Sequence, residues 1–255
     1  MNSQGVREFS GQTIVVAGAA TGIGAAAAHK LAALGAAVVG LDLNGPSLAQ
    51  TFSEFSESGL TVEGVQCDCS DQDAINVTFA GILERYNRID VLVNCVGITG
   101  LTAIPAHEVP IADFDRVLTV NLRSALILSQ AVIPGMLAHE YGRILHVASI
   151  AGKEGNPGMV SYSASKAGLI GMVKSMAKDY AKLGVTVNAL APAVIMTPLV
   201  AAMPQSQVDL NVSKIPMGRL GTLDEASDLI AWIVSPRASF TTGFTYDLSG
   251  GRATY

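Results

Sequence analysis

Short apolar runs alternate with longer stretches of helical spacing from one end of this chain to the other. "TIVVAG" (13–18), "AAVVGLDL" (36–43), "TVEGVQCD" (61–68), "DVLVNCVG" (90–97), "RILHVAS" (143–149), "VTVNALAP" (185–192) and "GFTYDL" (243–248) read as seven strands. Between them the spacing predicts helices near 22–34, 46–58, 71–87, 111–139, 159–183 and 222–235. Regular alternation of this kind marks repeated βαβ units and a parallel sheet. Runs nearly continuous in Val, Ile, Leu and Ala mark strands buried on both faces. The predicted fold is α/β, a doubly wound, Rossmann-type sheet of seven parallel strands with helices on both faces. It forms one domain over 1–255, without repeats or a linker.

Two segments depart from the plain pattern. The helix over 111–139 is apolar on nearly every side in its second half, and the next one carries Ala164, Gly168 and Gly171 at helical spacing. Together they suggest helix-to-helix contact between subunits. The stretch 196–221 is an insertion with weak helical pattern before the last helix and strand, the kind of length that serves as a substrate lid.

Composition narrows the partners. The 255 residues are 49% hydrophobic, enough for a large packed core, and a net charge of -5 with dispersed cations gives no footprint for nucleic acid. No apolar run approaches the ~18 residues that span a bilayer, and "MNSQGVREFSGQ" reads as a polar, frayed start rather than a leader. The expectations are no nucleic acid, no membrane and a cytoplasmic location. Three cysteines are an odd number, and Cys67 and Cys69 read as pointing to opposite faces of a strand, so neither a disulfide framework nor a metal or redox site is expected. His146, inside a strand, reads as a core or supporting residue.

The first strand runs into "AGAATGIGAAAAHKLAALG", where Gly18, Gly22 and Gly24 occupy the strand-to-helix turn. Glycines there let the backbone turn sharply and approach a pyrophosphate at a helix N-terminus, so the turn points to dinucleotide binding. About 20 residues on, the second strand ends at Asp42, placed to accept hydrogen bonds from an adenosine ribose. Its charge opposes a 2′-phosphate and no cation flanks it, which favours NAD over NADP. Asp42 also fits a plain turn-opening role in "DLNGP". Tyr162 and Lys166 in "SYSASKAG" lie four apart, on one face of a helix.

The glycine turn, "CDCS", "NCVG", Asn121, Ser149, "YSASK" and "APAVIMTP" occur in one order, and in that order the chain resembles the classical short-chain dehydrogenase/reductases from Gly11 to Tyr255. The resemblance implies an NAD-dependent enzyme interconverting a secondary alcohol and a ketone, with Tyr162 as acid/base, Ser149 holding the reacting oxygen, and Asn121 in a proton relay through water. A neighbouring cation lowers a tyrosine pKa, which is the part expected of Lys166. The resemblance also gives the cofactor contacts: Thr21, Ile23 and Leu43 beside the glycine turn and Asp42; Asp68 and Cys69 at adenine; Asn94, Val96 and Gly97 along the cofactor; Tyr162 and Lys166 at the nicotinamide ribose; and Pro192, Ile195 and Thr197 toward the carboxamide. Cys95 and Val96 depart from the family pattern, as does Ala17. So does Ala193, whose methyl is expected where the chain passes the nicotinamide.

Lys153, Glu154 and Asn156 are expected at a polar rim, with 97–102 and the insertion as further walls. That suits a sugar, polyol or deoxy-sugar acid, the direction in which the ending "DLSGGRATY" also points. Lys153 and Glu154 fit equally a solvated pair. Two alternatives remain, a 3-oxoacyl-carrier-protein reductase and a non-catalytic NAD-binding regulator. The family further implies a homotetramer, a dimer of dimers, with the C-terminal tail packed across an interface.

Overall fold

The computed structural model describes residues 7–255. Its strands are β1 (Thr13–Ala17), β2 (Ala37–Asp42), β3 (Val62–Gln66), β4 (Val91–Asn94), β5 (Gly142–Val147), β6 (Val185–Pro192) and β7 (Thr245–Leu248). They form one parallel sheet in the order β3-β2-β1-β4-β5-β6-β7. The connection reverses direction between β1 and β4, and in open α/β sheets a crevice forms at the strand ends there.

Side chains alternate across this sheet. Ile14 and Val16 of β1 face a core with Val38, Val91, Val93 and Leu145, covered by α1 (Gly22–Ala33), α2 (Gly45–Glu57) and the later α10. Val15 and Ala17 face the opposite core with Val39, Leu92, Ile144 and Val187, covered by α3 (Gln72–Tyr86) and the later α5 and α7. A strand's period of two produces this division, and the one-residue register of β1 on β2 and β4 preserves it. Burial on both faces holds for the inner strands only. The edge strands β3 and β7 alternate partly buried and exposed residues, with Glu63, Gln66 and Asp247 supplying the polarity.

The long helix predicted over 111–139 is three pieces: α4 (Ile111–Leu118), a π-turn at Thr119–Arg123, and α5 (Ser124–Ala138). By length and hydropathy alone, Ile111–Ala138 would suffice to cross a bilayer, contrary to the expectation that no such run exists. Half of its apolar window is buried, and Ala125, Leu128, Val132 and Met136 pack into the protein core. The short α6 (Ala151–Glu154), unforeseen in the sequence, precedes α7 (Val160–Tyr180). The insertion folds as α8 (Pro198–Ala201) and α9 (Gln205–Val212), with Val200, Ile215 and Leu220 as a small core of their own. A Thr222–Glu225 capping box then opens α10 (Leu223–Val234).

The frayed start is corrected where it can be seen; its first six residues lie outside the described ones. Phe9 is fully buried and its amide donates to the Leu34 carbonyl at 3.0 Å. Glu8 receives both Arg237 Nε and Nη2, at 2.7 and 2.8 Å. We expect Phe9→Ala to lower stability by about 3–5 kcal/mol, as for other buried aromatics. A shift of the denaturant midpoint measures it, and a frayed segment would give no shift.

Candidate active site

The glycine turn is a steric necessity here. A Cβ on Gly18 would stand 2.9 Å from the Cys95 carbonyl carbon, and one on Gly24 only 1.9 Å from the Gly18 oxygen. Gly18 and Gly22 also have φ of 77° and 58°, where glycine is unpenalised. At the α1 N-terminus Thr21 caps nothing with its side chain, so the first amides of the helix face the crevice unclaimed by any side chain. This is a ready anion site.

The crevice is a cleft of about 530 Å³ that runs from this turn in two directions. Asp42 and Leu43 line one end, with Asp68 and Cys69 beside them. Asp42 Oδ1 accepts the Asn44 amide at 2.9 Å, as a turn-opener does, and Oδ2 accepts the Ala20 amide at 3.0 Å, which ties the end of β2 to the glycine turn. Thr21, Ile23, Val96 and Gly97 line the middle, and Thr197 reaches over from the start of the insertion. Gly22 borders the outer side of the turn, where a Cβ would meet Thr197 Cγ2 at 3.6 Å. The volume, the glycine cradle and a carboxylate at the end of β2 fit a dinucleotide.

Asn94, Pro192 and Ile195 do not line the cleft. Asn94 is buried behind it: Oδ1 accepts the Val96 amide at 3.0 Å, and Nδ2 donates to His146 Nδ1 at 3.1 Å. His146 then carries its proton on Nε2 and donates to Ser129 Oγ at 3.1 Å, which passes a bond to the Ala125 carbonyl at 2.7 Å. Burial, with the charge of Lys166, lowers the His146 pKa to about 3, so the ring stays neutral. Asn94 and His146 therefore shape the loop that lines the cleft from behind. Pro192 ends β6 with its carbonyl receiving the Ile150 amide at 3.2 Å, and Ile195 bridges to Gly221. Ala193 packs against the insertion core.

Asn121, Ser149, Tyr162 and Lys166 do not line the cleft either; Lys166 and Asn121 stand directly behind its Gly97 wall. A Cβ on Gly97 would lie 3.2 Å from Lys166 Nζ and 3.4 Å from Asn121 Oδ1. Ser149 accepts the Ala151 amide at 3.1 Å and lies near enough to the Tyr162 hydroxyl to hold its pKa down in part. Lys166 Nζ is 5.8 Å from the centre of the tyrosine ring and donates to the Val147 carbonyl at 2.8 Å. Burial lowers the Lys166 pKa to about 8. The tyrosine differs from expectation: burial raises its pKa, Ser149 offsets part of that, and Lys166 contributes no lowering among the protein groups.

Asn121 is where the helix yields. Its Oδ1 accepts the Ile98 amide and its Nδ2 donates to the Ile98 carbonyl, both at 2.8 Å, with a further bond to Ser165 Oγ at 2.9 Å. Ser165 in turn donates to the Tyr162 carbonyl at 2.7 Å. The Asn121 side chain is thus committed to protein partners and acts by position. Ser165 carries no sequence signal of this, being one small residue among several.

The polar rim is also rearranged. Lys153 pairs with Asp247 at 2.6 Å, and Arg252 bonds both Glu154 and Asn156, at 3.0 and 3.2 Å. Tyr255 donates its hydroxyl to the Lys153 carbonyl at 2.6 Å. Lys153 and Glu154 are neither a solvated pair nor free for substrate; they anchor the C-terminal tail on its own chain.

A family profile described as enoyl-(acyl carrier protein) reductase matches residues 18–253. The NAD(+)-dependent 2-dehydro-3-deoxy-L-rhamnonate dehydrogenase of a Sphingomonas species is 42% identical over 97% of either chain. The chain belongs to the short-chain dehydrogenase/reductase family. A 3-oxoacyl-[acyl-carrier-protein] reductase of Thermotoga maritima is 35% identical over 95% of this chain and 98% of its own. The structure of an NAD+-bound xylitol dehydrogenase superposes with a TM-score of 0.90 at 30% identity, covering 96% of this chain and all of that one. As a member of this family the protein is an NAD-dependent oxidoreductase acting on CH–OH groups.

The His146 network offers a test of the cleft's support. Replacing His146 by Leu strands the Asn94 amide in the core, at about 1–3 kcal/mol. We expect KM for NAD to rise with kcat little changed, and His146→Asn, which can still accept from Asn94, to recover most of the loss.

Proposed function

We propose that Ser149, Tyr162, Lys166 and Asn121 form the catalytic group, oxidising a small polyhydroxylated substrate of the sugar, polyol or deoxy-sugar-acid class. The observation that carries this reading is the Lys166 ammonium, which stands beside the Tyr162 ring and, with Asn121, next to Gly97 of a cleft that Asp42 also lines. Bound NAD supplies the hydride acceptor and, when reduced, the donor. Ser149, whose oxygen already accepts Ala151, gives its proton toward the reacting oxygen and steadies the charge that develops there. Tyr162 takes the alcohol proton in oxidation and returns it in reduction. Lys166, with one carbonyl partner in a buried site, presents its remaining protons toward the tyrosine and the ribose. Asn121 fixes the Ile98 loop and, through Ser165, the first turn of α7.

The substrate class rests on the similarity to the rhamnonate-type dehydrogenase and to xylitol dehydrogenase. Similarity to 3-oxoacyl reductases keeps the carrier-linked reading in view, but the charges oppose it. Arg116, Lys153, Arg219 and Arg252 each pair with a carboxylate, leaving them poorly suited to an acidic carrier protein. A non-catalytic regulator would have no use for the assembled Ser149, Tyr162 and Lys166. In the proposed function, residues 196–221 act as the lid, Thr197 being its contact with the cleft.

The proposal includes a cytoplasmic homotetramer, a dimer of dimers. Leu118, Leu122 and Leu126 line an apolar groove with Met172 on α4, α5 and α7, and a second copy of this groove is its natural cover. Gly171 has open space above it, as such a contact needs, whereas Gly168 is required by Leu122 of its own chain, 2.9 Å from a Cβ there. Phe240 and Phe244 are exposed beside the open edge of β7, a second surface suited to pairing.

Formation of NADH at 340 nm across sugars, polyols, sugar acids, hydroxy acids and simple alcohols tests the chemistry. Turnover with NAD on a polyhydroxylated class, faster than with NADP and abolished in Tyr162→Phe, is the expected result. Because burial raises the tyrosine pKa and the base must be the phenolate, oxidation should quicken with rising pH while ketone reduction slows. A turnover that survives Tyr162→Phe would overturn the assignment. For assembly, Leu126→Glu should halve the mass seen by light scattering, and an unchanged mass would place the interface elsewhere.

A further inference from the structure

The chain's last turn meets two segments at once, the insertion and the stretch that follows Ser149. Gly250 and Gly251 have φ of 58° and 89° and lie against the end of the insertion. A Cβ on Gly250 would stand 2.6 Å from Ile215 Cγ2, and one on Gly251 3.3 Å from Pro216 Cβ. The Met217 amide donates to the Gly250 carbonyl at 3.1 Å. The next residue, Arg252, reaches the stretch after Ser149: Nε donates to Glu154 Oε2 at 3.1 Å and Nη2 to Asn156 Oδ1 at 3.2 Å. Only 12% of its side chain is exposed, so this pair is covered rather than solvated. The Ala253 amide closes the turn on Ser249 Oγ at 3.1 Å.

Residues 150–156 are fastened differently at their two ends. Near Ser149 the Ile150 amide donates to the Pro192 carbonyl at 3.2 Å, and the Ala151 amide to Ser149 Oγ at 3.1 Å. These bonds orient the serine and owe nothing to the tail. At the far end a Cβ on Gly155 would meet open space, so the chain there takes its place from contacts further along. Arg252 holds Asn156 Oδ1, and Ser163 Oγ accepts the Asn156 amide at 3.1 Å. Ser163 follows Tyr162 in the first turn of α7. Asn156 is thus a junction between the tail and the helix that bears Tyr162.

We propose that Arg252 is a positioning residue for substrate specificity. Through Asn156 it sets where the wall at 154–156 stands relative to Tyr162, and through the glycine turn it keeps that wall aligned with the base of the lid. The inference rests on the functional reading above, in which the insertion and the stretch after Ser149 flank the substrate. The role is indirect, since both partners of the guanidinium are protein groups. A planar guanidinium reaches a carboxylate and an amide oxygen together in fixed directions, which an ammonium does not reproduce. A polyhydroxylated substrate is held by hydrogen bonds from fixed positions, so a wall misplaced by about 1 Å forfeits much of its binding. The dinucleotide cleft stands apart, because none of residues 150–156 or 249–255 lines it. Loss of Arg252 therefore acts on KM for the alcohol and spares KM for NAD.

The test measures initial rates of the intact protein with the alcohol that the wild type oxidises fastest, varying alcohol and NAD in turn. In Arg252→Met, and separately in Asn156→Ala, KM for the alcohol should rise about ten-fold, with kcat within about two-fold and KM for NAD unchanged. The double variant should be no worse than the more affected single one, since both remove one link. Asn156→Asp keeps an oxygen for the guanidinium and should stay near the wild-type KM. Arg237→Lys serves as the stability control, because its bidentate pair with Glu8 belongs to neither wall, and it should leave every kinetic constant in place. An alcohol KM unchanged in both single variants, additive losses in the double one, a parallel rise in KM for NAD, or the same rise in Arg237→Lys would each overturn the proposal. Should Arg252→Met fail to fold, Asn156→Ala against Asn156→Asp decides alone. The preferred alcohol is read from the wild type: one outside the polyhydroxylated class would overturn the class proposed above, while the variants still decide the role of Arg252.

Discussion

Asn121 holds together three parts of the chain that otherwise have no covalent reason to meet. Its amide takes both backbone groups of Ile98 and reaches Ser165 on α7, so the cleft loop, the α4–α5 segment and the helix bearing Tyr162 and Lys166 share one node. A straight α-helix would spend its whole ladder on itself; the π-turn at Thr119–Arg123 breaks that ladder at the node. Apolar packing of α5 into the core supplies the stability that lets the irregular turn persist. The order of causes runs from core to turn to amide, and the chemistry depends on the last.

Lys166 shows why such positioning is needed. An ammonium taken from water costs several kcal/mol even after relaxation, and here Nζ has one backbone partner, Val147. The lowered pKa is the measure of that strain, and it leaves the group able to stabilise a neighbouring negative charge far better than an exposed lysine could. Tyr162 is displaced the opposite way by the same burial. Gly152 lets α6 lie close against α7, since a Cβ there would sit 2.6 Å from the Lys166 carbonyl carbon.

What could be read in the sequence was what one-dimensional pattern encodes. The inner strands announced themselves because burial on both faces demands unbroken apolar runs, and the glycine turn because no other residue fits beneath Cys95 or against Gly18. Asp42 was legible from its spacing as the residue that ends β2 and lines the cleft. Facts that arise only when distant segments meet were illegible. Phe9 looked like part of a polar tail because its partners lie on α1 and around Leu34. Ser165 was one serine among several until Asn121 reached it. The long helix was drawn whole because apolar periodicity continues through a π-turn. The Cys67–Cys69 pair was read as pointing to opposite faces of a strand, whereas β3 ends at Gln66 and both side chains enter one core cluster beyond it.

The far wall of the site follows a different logic, since the chain's last residues hold it. Ser149 ends β5, and α6 begins two residues later with its Lys153 and Glu154 tied to Asp247 and Arg252. Arg252 also grips Asn156, and Tyr255 closes over Lys153 with both its ring and its hydroxyl. Isolated exposed ion pairs contribute little, but these side chains are mostly covered and share partners, so they act as a network. The shape of the segment after Ser149 is therefore set from the C-terminus rather than by its own four-residue helix, which is too short to be stable alone. A change of substrate preference in this scaffold can thus arise in the tail without touching a reacting group, because the tail decides where the wall beside Ser149 stands.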